Sequence, residues 1–570
     1  MRILKFFFSF CLIAPIIISS VIYYYFGFKY FGANFNPYIF TSNLTFDENL
    51  HYFLKILNFL SYLGSNLNDV KNFNNINFVQ IVPYFFSFLV VIIFGENSAP
   101  ILIDLITIIF FLAVNYYFFS KILKIKKNYL FSLLVIYSVF FSYGPFTYNF
   151  YIDLFKDIEL KTYHHLFRQL SPSLTYIFFI INIIAHCKSY KVNQITLLNF
   201  SIIALSYFVY SFNSVVQIIF FSLCFFYLIL LNNKKKIIIK LYLINIVMFL
   251  IWFYHHNYYF NNEWFTKFLL GYTETFNLEI EKNLITIFFL IINFYIFYKY
   301  KIFNFLFVAI FLLACFIFFN LRFIIGYDLQ LYHVDMYFTK PVQWLSLILL
   351  IDLVMKKNLK KLLVIIAFTI SILFFWSHKN FSEKLILNNL ELINEQLKKR
   401  VSFAKINKFV KNETVYTLDP HFIAYGYYLS SSKSYIISID QNLVDASPKK
   451  NLINFIDLGD YLGITRDTQY KFITDKSLFY LNDKHNFFQH LLFLQDNPAN
   501  DTMFKDSINE GVSTNIKEFI ENKNQNKIDA NIKYLLIYKK DQKSFNYIIN
   551  KNLKVIYEDE NYFLYEKYTS

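Results

Sequence analysis

Long apolar runs, separated by short lysine-rich links in alternation with longer polar loops, fill the chain as far as Trp376. Runs near 6–24, 101–119, 129–143, 172–187, 195–211, 215–231, 237–254, 284–298, 303–319, 342–355 and 362–376 approach the roughly 20 residues that a helix needs to cross a bilayer. They predict eleven spans. A further run, "FVQIVPYFFSFLVVIIFG" at 78–95, competes with them in length and carries Pro83 near its start. Beyond Trp376 the pattern changes. Residues 377–412 read as a polar-faced helical linker, and 413–570 as a small α/β domain. Its strands are expected at "TVYTLD", "SYIISID", "KYLLIYKK" and a closing pair, "LKVIYE" and "YFLYEK", joined as a hairpin at "DEN". Helix-like polar stretches such as "NLINFIDLGDYL" lie between them.

Charge decides how 78–95 is read. If that run lies in the membrane interface as a juxtamembrane helix and the amino terminus is inside, the links "SKILKIKKN", "KSYKVN", "NNKKKIIIK", "YKYK" and "MKKNLKK" all fall on one side. Lysine excess marks cytoplasmic loops. Ten of the eleven histidines then lie on the other side, His186 being the exception. A crossing at 78–95 would invert every later loop. The expected architecture is therefore a polytopic α-helical membrane protein of about eleven spans over 1–376, with the amino terminus inside. The 413–570 domain is expected outside the cytoplasm.

Composition agrees with this class: the chain is 56% hydrophobic, 22% aromatic and only 16% charged, with a mean hydropathy of +0.39. A net charge of +15 would suggest nucleic acid in a soluble protein, but here the lysines belong to the links, and no nucleic-acid partner is expected. Cys11, Cys187, Cys224 and Cys315 sit in or beside apolar runs without metal-type spacing and read as core residues. The opening "MRILKFFFSFCLIAPIIISSVIYYYF" lacks a small-residue cleavage pattern and reads as a retained first span. No GxGxxG, Walker, HExxH or GxSxG pattern occurs, so nucleotide, zinc-protease and serine-hydrolase chemistry have no local support.

The candidate chemistry lies in the outer loops. "FTSNLTFDENLHYFLKI" places Asp47 and Glu48 early in the first of them. Followed by the apolar stretch ending "FGENSAP", a span, a basic inner loop and a terminal outer domain, this layout resembles the GT-C superfamily of integral-membrane glycosyltransferases, which includes protein O-mannosyltransferases and aminoarabinose transferases. The His-Pro-Pro or Lys-Pro-Pro that often precedes the juxtamembrane helix there is replaced by "NNINFVQIVP". The resemblance implies transfer of a sugar from a polyprenyl phosphate or pyrophosphate at the outer face, in a bacterial inner (plasma) membrane. Asp47 would be the base, and Glu48 a helper, or a ligand if a divalent metal is used. Asp47 also reads as the N-cap of a helix beginning at "DENLHYF".

The second outer loop, "FTYNFYIDLFKDIELKTYHHLFRQLSPS", offers Asp153, His165 and Arg168 as substrate-binding residues. Asp153 competes with Asp157 and Glu159 for the role of second acid. Arg168 suits a lipid phosphate by its two-pronged geometry, and equally an interfacial anchor. The last outer loop, "NLRFIIGYDLQLYHVDMYFTKP", supplies Arg322, Gln330 and His333, with Asp328 and Lys340 nearby. Two other function classes share the layout: a transporter or flippase of lipid-linked saccharides, and a non-catalytic membrane assembly protein.

Overall fold

The computed structural model describes residues 2–32, 81–94, 98–126, 128–141, 143–160, 173–209, 211–231, 234–260, 280–325, 334–355, 359–388 and 390–410, together with 415–417, 434–435, 456, 465–467, 521, 533–539 and 553–567. The chain divides into two compact units, one of 1–45, 77–259 and 277–388, which holds the apolar helices, and a smaller one of 46–76, 260–276 and 389–570, which holds the helix Leu390–Val410 and the strands.

Among the described residues of the helical unit, seven helices are long and apolar enough to cross a membrane: Ala99–Ile122, Asn213–Leu230, Lys235–Tyr254, Asn283–Tyr300, Phe303–Leu321, Asp335–Val354 and Leu359–Asn388. The pair Phe10–Ser19 and Ile22–Phe31, bent by 49°, makes an eighth if counted as one span. The bend has a local cause. Pro15 lies inside the first helix, and the hydroxyls of Ser19 and Ser20 donate back to the carbonyls of Pro15 and Ile17 at 2.7 Å each, competing with the helical ladder. These apolar helices point to a multi-pass membrane protein.

The eleven membrane-length runs do not become eleven membrane-length helices. Leu130–Phe140 has 11 residues and Leu197–Ser206 has 10, which at about 1.5 Å per residue is roughly half a hydrocarbon thickness. Ser173–Val192 is longer but carries Asn182, His186 and Lys188 and is not among the seven. The break after Ser206 is made by the following helix. Asn213 and Gln217 donate side-chain hydrogen bonds to the Ser206 carbonyl at 2.9 and 3.1 Å, and Ser214 donates to the Tyr207 carbonyl at 2.6 Å. These satisfy the orphan carbonyls of a helix end. Because Tyr207, Phe208 and Val209 are themselves apolar, hydropathy runs straight through the turn. The helix Ile81–Phe94, within the 78–95 run, has 14 residues, about 21 Å. Its Val82 N–H donates to the Phe208 carbonyl at 3.2 Å.

The lysine-rich links converge on one end of this unit. The Asn304 amide donates to the Leu123 carbonyl at 2.7 Å, the Tyr129 hydroxyl donates to Asp352, and Lys360 lies over the Tyr129 ring. Lys234 donates to the Tyr190 carbonyl, and Lys188 lies over the Tyr117 ring. The helix Leu359–Asn388 leaves this end and runs parallel to the amino-terminal pair: Ser371 donates to the Leu12 carbonyl at 2.8 Å, and Glu383 meets Lys29. All four cysteines are free.

In the second unit, strands β1 (Val415–Thr417), β2 (Ser434–Tyr435), β3 (Tyr534–Tyr538), β4 (Leu553–Glu558) and β5 (Tyr562–Lys567) form one mixed sheet in the order β2-β1-β3-β5-β4. β1 pairs in parallel with β2 and β3, whereas β5 is antiparallel to β3 and β4. β3 is buried along its whole length, the pattern of a central strand. The helix Leu390–Val410 packs on the sheet through Phe403 against Tyr562, Phe409 against Tyr557 and Lys399 over Tyr538. The β4–β5 turn is an Asx turn: the Asp559 carboxylate accepts from the N–H groups of Asn561 and Tyr562 at 2.8 and 2.9 Å and from the Tyr557 hydroxyl at 2.5 Å.

Candidate functional site

The end of the helical unit away from the lysine links is organised around the chain segment 143–160. It leaves the helix Leu130–Phe140 and lies against the helices Lys340–Val354 and Leu359–Asn388. Aromatic contacts fix its first half: Trp344 stacks on Phe140 at 4.6 Å and donates its indole N–H to the Tyr143 carbonyl at 2.5 Å, while Tyr143 stacks on Phe150. Polar contacts from the helix Leu359–Asn388 fix its second half. The Leu160 N–H donates to the Ser377 carbonyl, the Asn380 amide donates to the Ile158 carbonyl at 2.9 Å, and Lys384 pairs with Glu159 at 2.8 Å.

Within this segment the helix Tyr148–Ile152 widens into a π-helical turn, Asp153–Asp157, that opens on a buried aspartate. Asp153 is 7% exposed. Its carbonyl takes the N–H groups of both Ile158 and Glu159, and this closure forces Ile158 to φ +50°. A β-branched side chain in the left-handed region is strained by about 1–2 kcal/mol. Such strain persists where the surroundings over-determine it, and it concentrates at functional sites.

A second π-helical turn, Asp335–Thr339, leads into the helix Lys340–Val354, whose Lys340, Gln343 and Trp344 meet the start of the same segment, and again opens on a buried aspartate. Asp335 is 3% exposed and pairs with Lys340 at 3.0 Å. In the wider π geometry a five-residue spacing brings carboxylate and ammonium to one face, which an α-helix does only at spacings of three or four. Gly144 closes the arrangement: a Cβ there would lie 3.6 Å from both the Lys340 Cγ and the Gln343 Oε1. Nearby, Glu383 binds Lys29 at 3.1 Å and accepts the Tyr30 hydroxyl at 2.9 Å, and Ser377, His378 and Ser382 are buried on the same helix.

No protein-family model, curated protein or solved structure matches the chain.

Of the residues singled out in the sequence, Asp153 lies in this arrangement, and Arg322 falls within the helix Phe303–Ile325. Asp47, Glu48, His165, Arg168, Gln330 and His333 lie outside the described residues. Among the described residues, no three His, Cys, Asp or Glu side chains converge as a metal site. Sequence reasoning passed over Asp335. Its signal is the acid five residues ahead of a lysine at the start of a span, in "DMYFTKP". Two further acids near span ends, Asp104 and Asp352, each accept a tyrosine hydroxyl, from Tyr24 at 2.6 Å and from Tyr129.

Proposed function

We propose that this protein is a multi-pass membrane glycosyltransferase that moves a sugar from a polyprenyl-phosphate-type donor to an acceptor at the face opposite its lysine links. The observation that supports the reading is two buried aspartates that each open a π-helical turn, Asp153 within the segment 143–160 and Asp335 just before the helix that packs on the start of that segment. Burying a carboxylate is costly, and an ion pair regains little of that cost over an apolar substitute. Two at one end of a bundle suit a polar reaction chamber better than a scaffold.

In the reaction an acceptor oxygen or nitrogen attacks the anomeric carbon, the bond from that carbon to the phosphate oxygen breaks, the acceptor proton passes to a carboxylate, and polyprenyl phosphate leaves. Because the leaving group is already good, the protein's tasks are deprotonation and stabilisation of phosphate charge. Asp47 takes the proton, aided by Glu48. Arg168 and Arg322 face the phosphate charge, while Asp153, His165, Gln330 and His333 hold sugar hydroxyls.

Purified protein in proteoliposomes, supplied with a panel of labelled polyprenyl-phosphate sugars and a cell-envelope acceptor fraction, is expected to transfer label. Asp153→Asn is expected to slow transfer by at least tenfold with the protein still folded. Absence of transfer across the whole panel would count against the reading.

A second reading, movement of a lipid-linked saccharide, draws on a polar network in the bundle interior: Asn182 donates to Ser206 and Gln217, and Asn245 donates to His186 and accepts from Tyr207. Polar side chains at that depth are characteristic of substrate pathways. Protein-dependent movement of a labelled lipid-linked saccharide between leaflets, without transfer, would favour it.

A further inference from the structure

The chain contains no Asp or Glu between Glu159 and Glu263. Within that stretch the end of Ser173–Val192 and the start of Lys235–Phe260 carry Lys188, Lys191, Lys234, Lys235 and Lys236, all exposed. The two links are joined directly, since Lys234 Nζ donates to the Tyr190 carbonyl at 3.3 Å and lies 5.2 Å from the centre of the Tyr190 ring. Beside the lysines, the short helix Leu197–Ser206 leaves Leu197 82% and Leu198 69% exposed, with Val192 66% exposed in front of them. The inner side of the same element is packed, through Ile203 against Ile237, Ile238 and Leu241.

Topology alone asks for lysines near helix ends. It does not ask for bare leucines next to two joined, lysine-bearing helix ends without a nearby acid in sequence. Together they match a lipid in its two halves, with headgroup phosphate against the lysines and acyl chain along a helix too short to fill the leaflet. We infer that this corner is a binding site for an anionic phospholipid of the leaflet at the lysine end, held by Lys191, Lys234 and Lys235 with its chain against Leu197 and Leu198. The inference is independent of the glycosyltransferase reading.

The test is native mass spectrometry of the full chain released from nanodiscs of equal phosphatidylglycerol and phosphatidylcholine. The wild-type protein is expected to retain phosphatidylglycerol preferentially. In K191Q/K234Q/K235Q that preference should fall by on the order of fivefold for each lysine replaced. K191R/K234R/K235R should keep it, as should K124Q/K299Q/K301Q, which changes the same net charge at other exposed links. Lack of any preference in the wild-type protein, or equal loss in the two Lys→Gln triples, would overturn the site.

Discussion

Asp335 and Lys340 form an ion pair, 3.0 Å from Oδ2 to Nζ, across a π-helical turn in which the carboxylate is almost wholly buried. Removing one partner strands the other charge in an apolar setting, whereas removing both leaves neither. Asp335→Asn and Lys340→Met are each expected to destabilise the detergent-solubilised protein by about 3 kcal/mol, the lower end for buried pairs because the lysine retains some exposure. The double variant should recover most of that loss. Thermal unfolding of the four proteins checks the cycle, and additive losses would show that the two charges do not act as a pair.

Ile158 stands in the left-handed region at φ +50°. Glycine adopts that conformation freely but loses more entropy on folding, so the two effects nearly offset each other, leaving a net gain for Ile158→Gly below about 1 kcal/mol. An unfolding midpoint at or slightly above that of the wild-type protein is expected. A clear loss would mean that the Ile158 side chain contributes packing that outweighs its backbone strain.

In the second unit, burial pushes the Asp559 carboxyl up, but hydrogen bonds from Ser402, Tyr557, Asn561 and Tyr562 together outweigh it and hold the group below the usual carboxylate range. A group with a depressed folded-state value contributes stability that is present above its unfolded value, about 3.9, and lost as pH falls through the folded value. Protection of the Asn561 and Tyr562 amides, measured as exchange relative to the intrinsic rate at each pH, should therefore fall below about pH 4. Asp559→Asn, which keeps an acceptor for the turn, should remove this pH dependence. The idea fails if the Asn variant shows the same loss of protection in acid.

Reporters fused at Lys126 and after Asn388 test orientation. Lys126 lies among the lysine links, and the helix ending at Asn388 begins at them. A cytoplasm-dependent reporter should work only at Lys126, and an export-dependent one only after Asn388. The reverse result at either site would invert the assignment of faces.

Much of this architecture was legible in the sequence because its signals are local. The closing hairpin follows from two β-favouring runs around an Asx-turn residue, and β4 and β5 fall on "LKVIYE" and "YFLYEK". Lysine spacing anticipated that the links would gather at one end. The shortness of Leu197–Ser206 was not legible, because the turn that ends it is apolar and its capping groups, Asn213, Ser214 and Gln217, come from the next helix. Asp335 escaped for a similar reason: its partner sits at a spacing that only a π-turn makes adjacent. Asp153 stood out as one of three acids in its loop, but only burial separates it from Asp157, which is exposed, and the partly exposed Glu159.

The central claim, sugar transfer with Asp47 as the base, is tested most directly by comparing Asp47→Asn with Asp47→Ala in the proteoliposome transfer assay. Asparagine caps a helix about as well as aspartate but accepts no proton, whereas alanine does neither. The account predicts that both variants lose transfer by roughly 10²- to 10⁴-fold, with the Asn protein as stable as wild type and the Ala protein weakened by about 1 kcal/mol. A fully active Asp47→Asn protein beside a merely destabilised Asp47→Ala protein would contradict it and leave Asp47 as a helix cap.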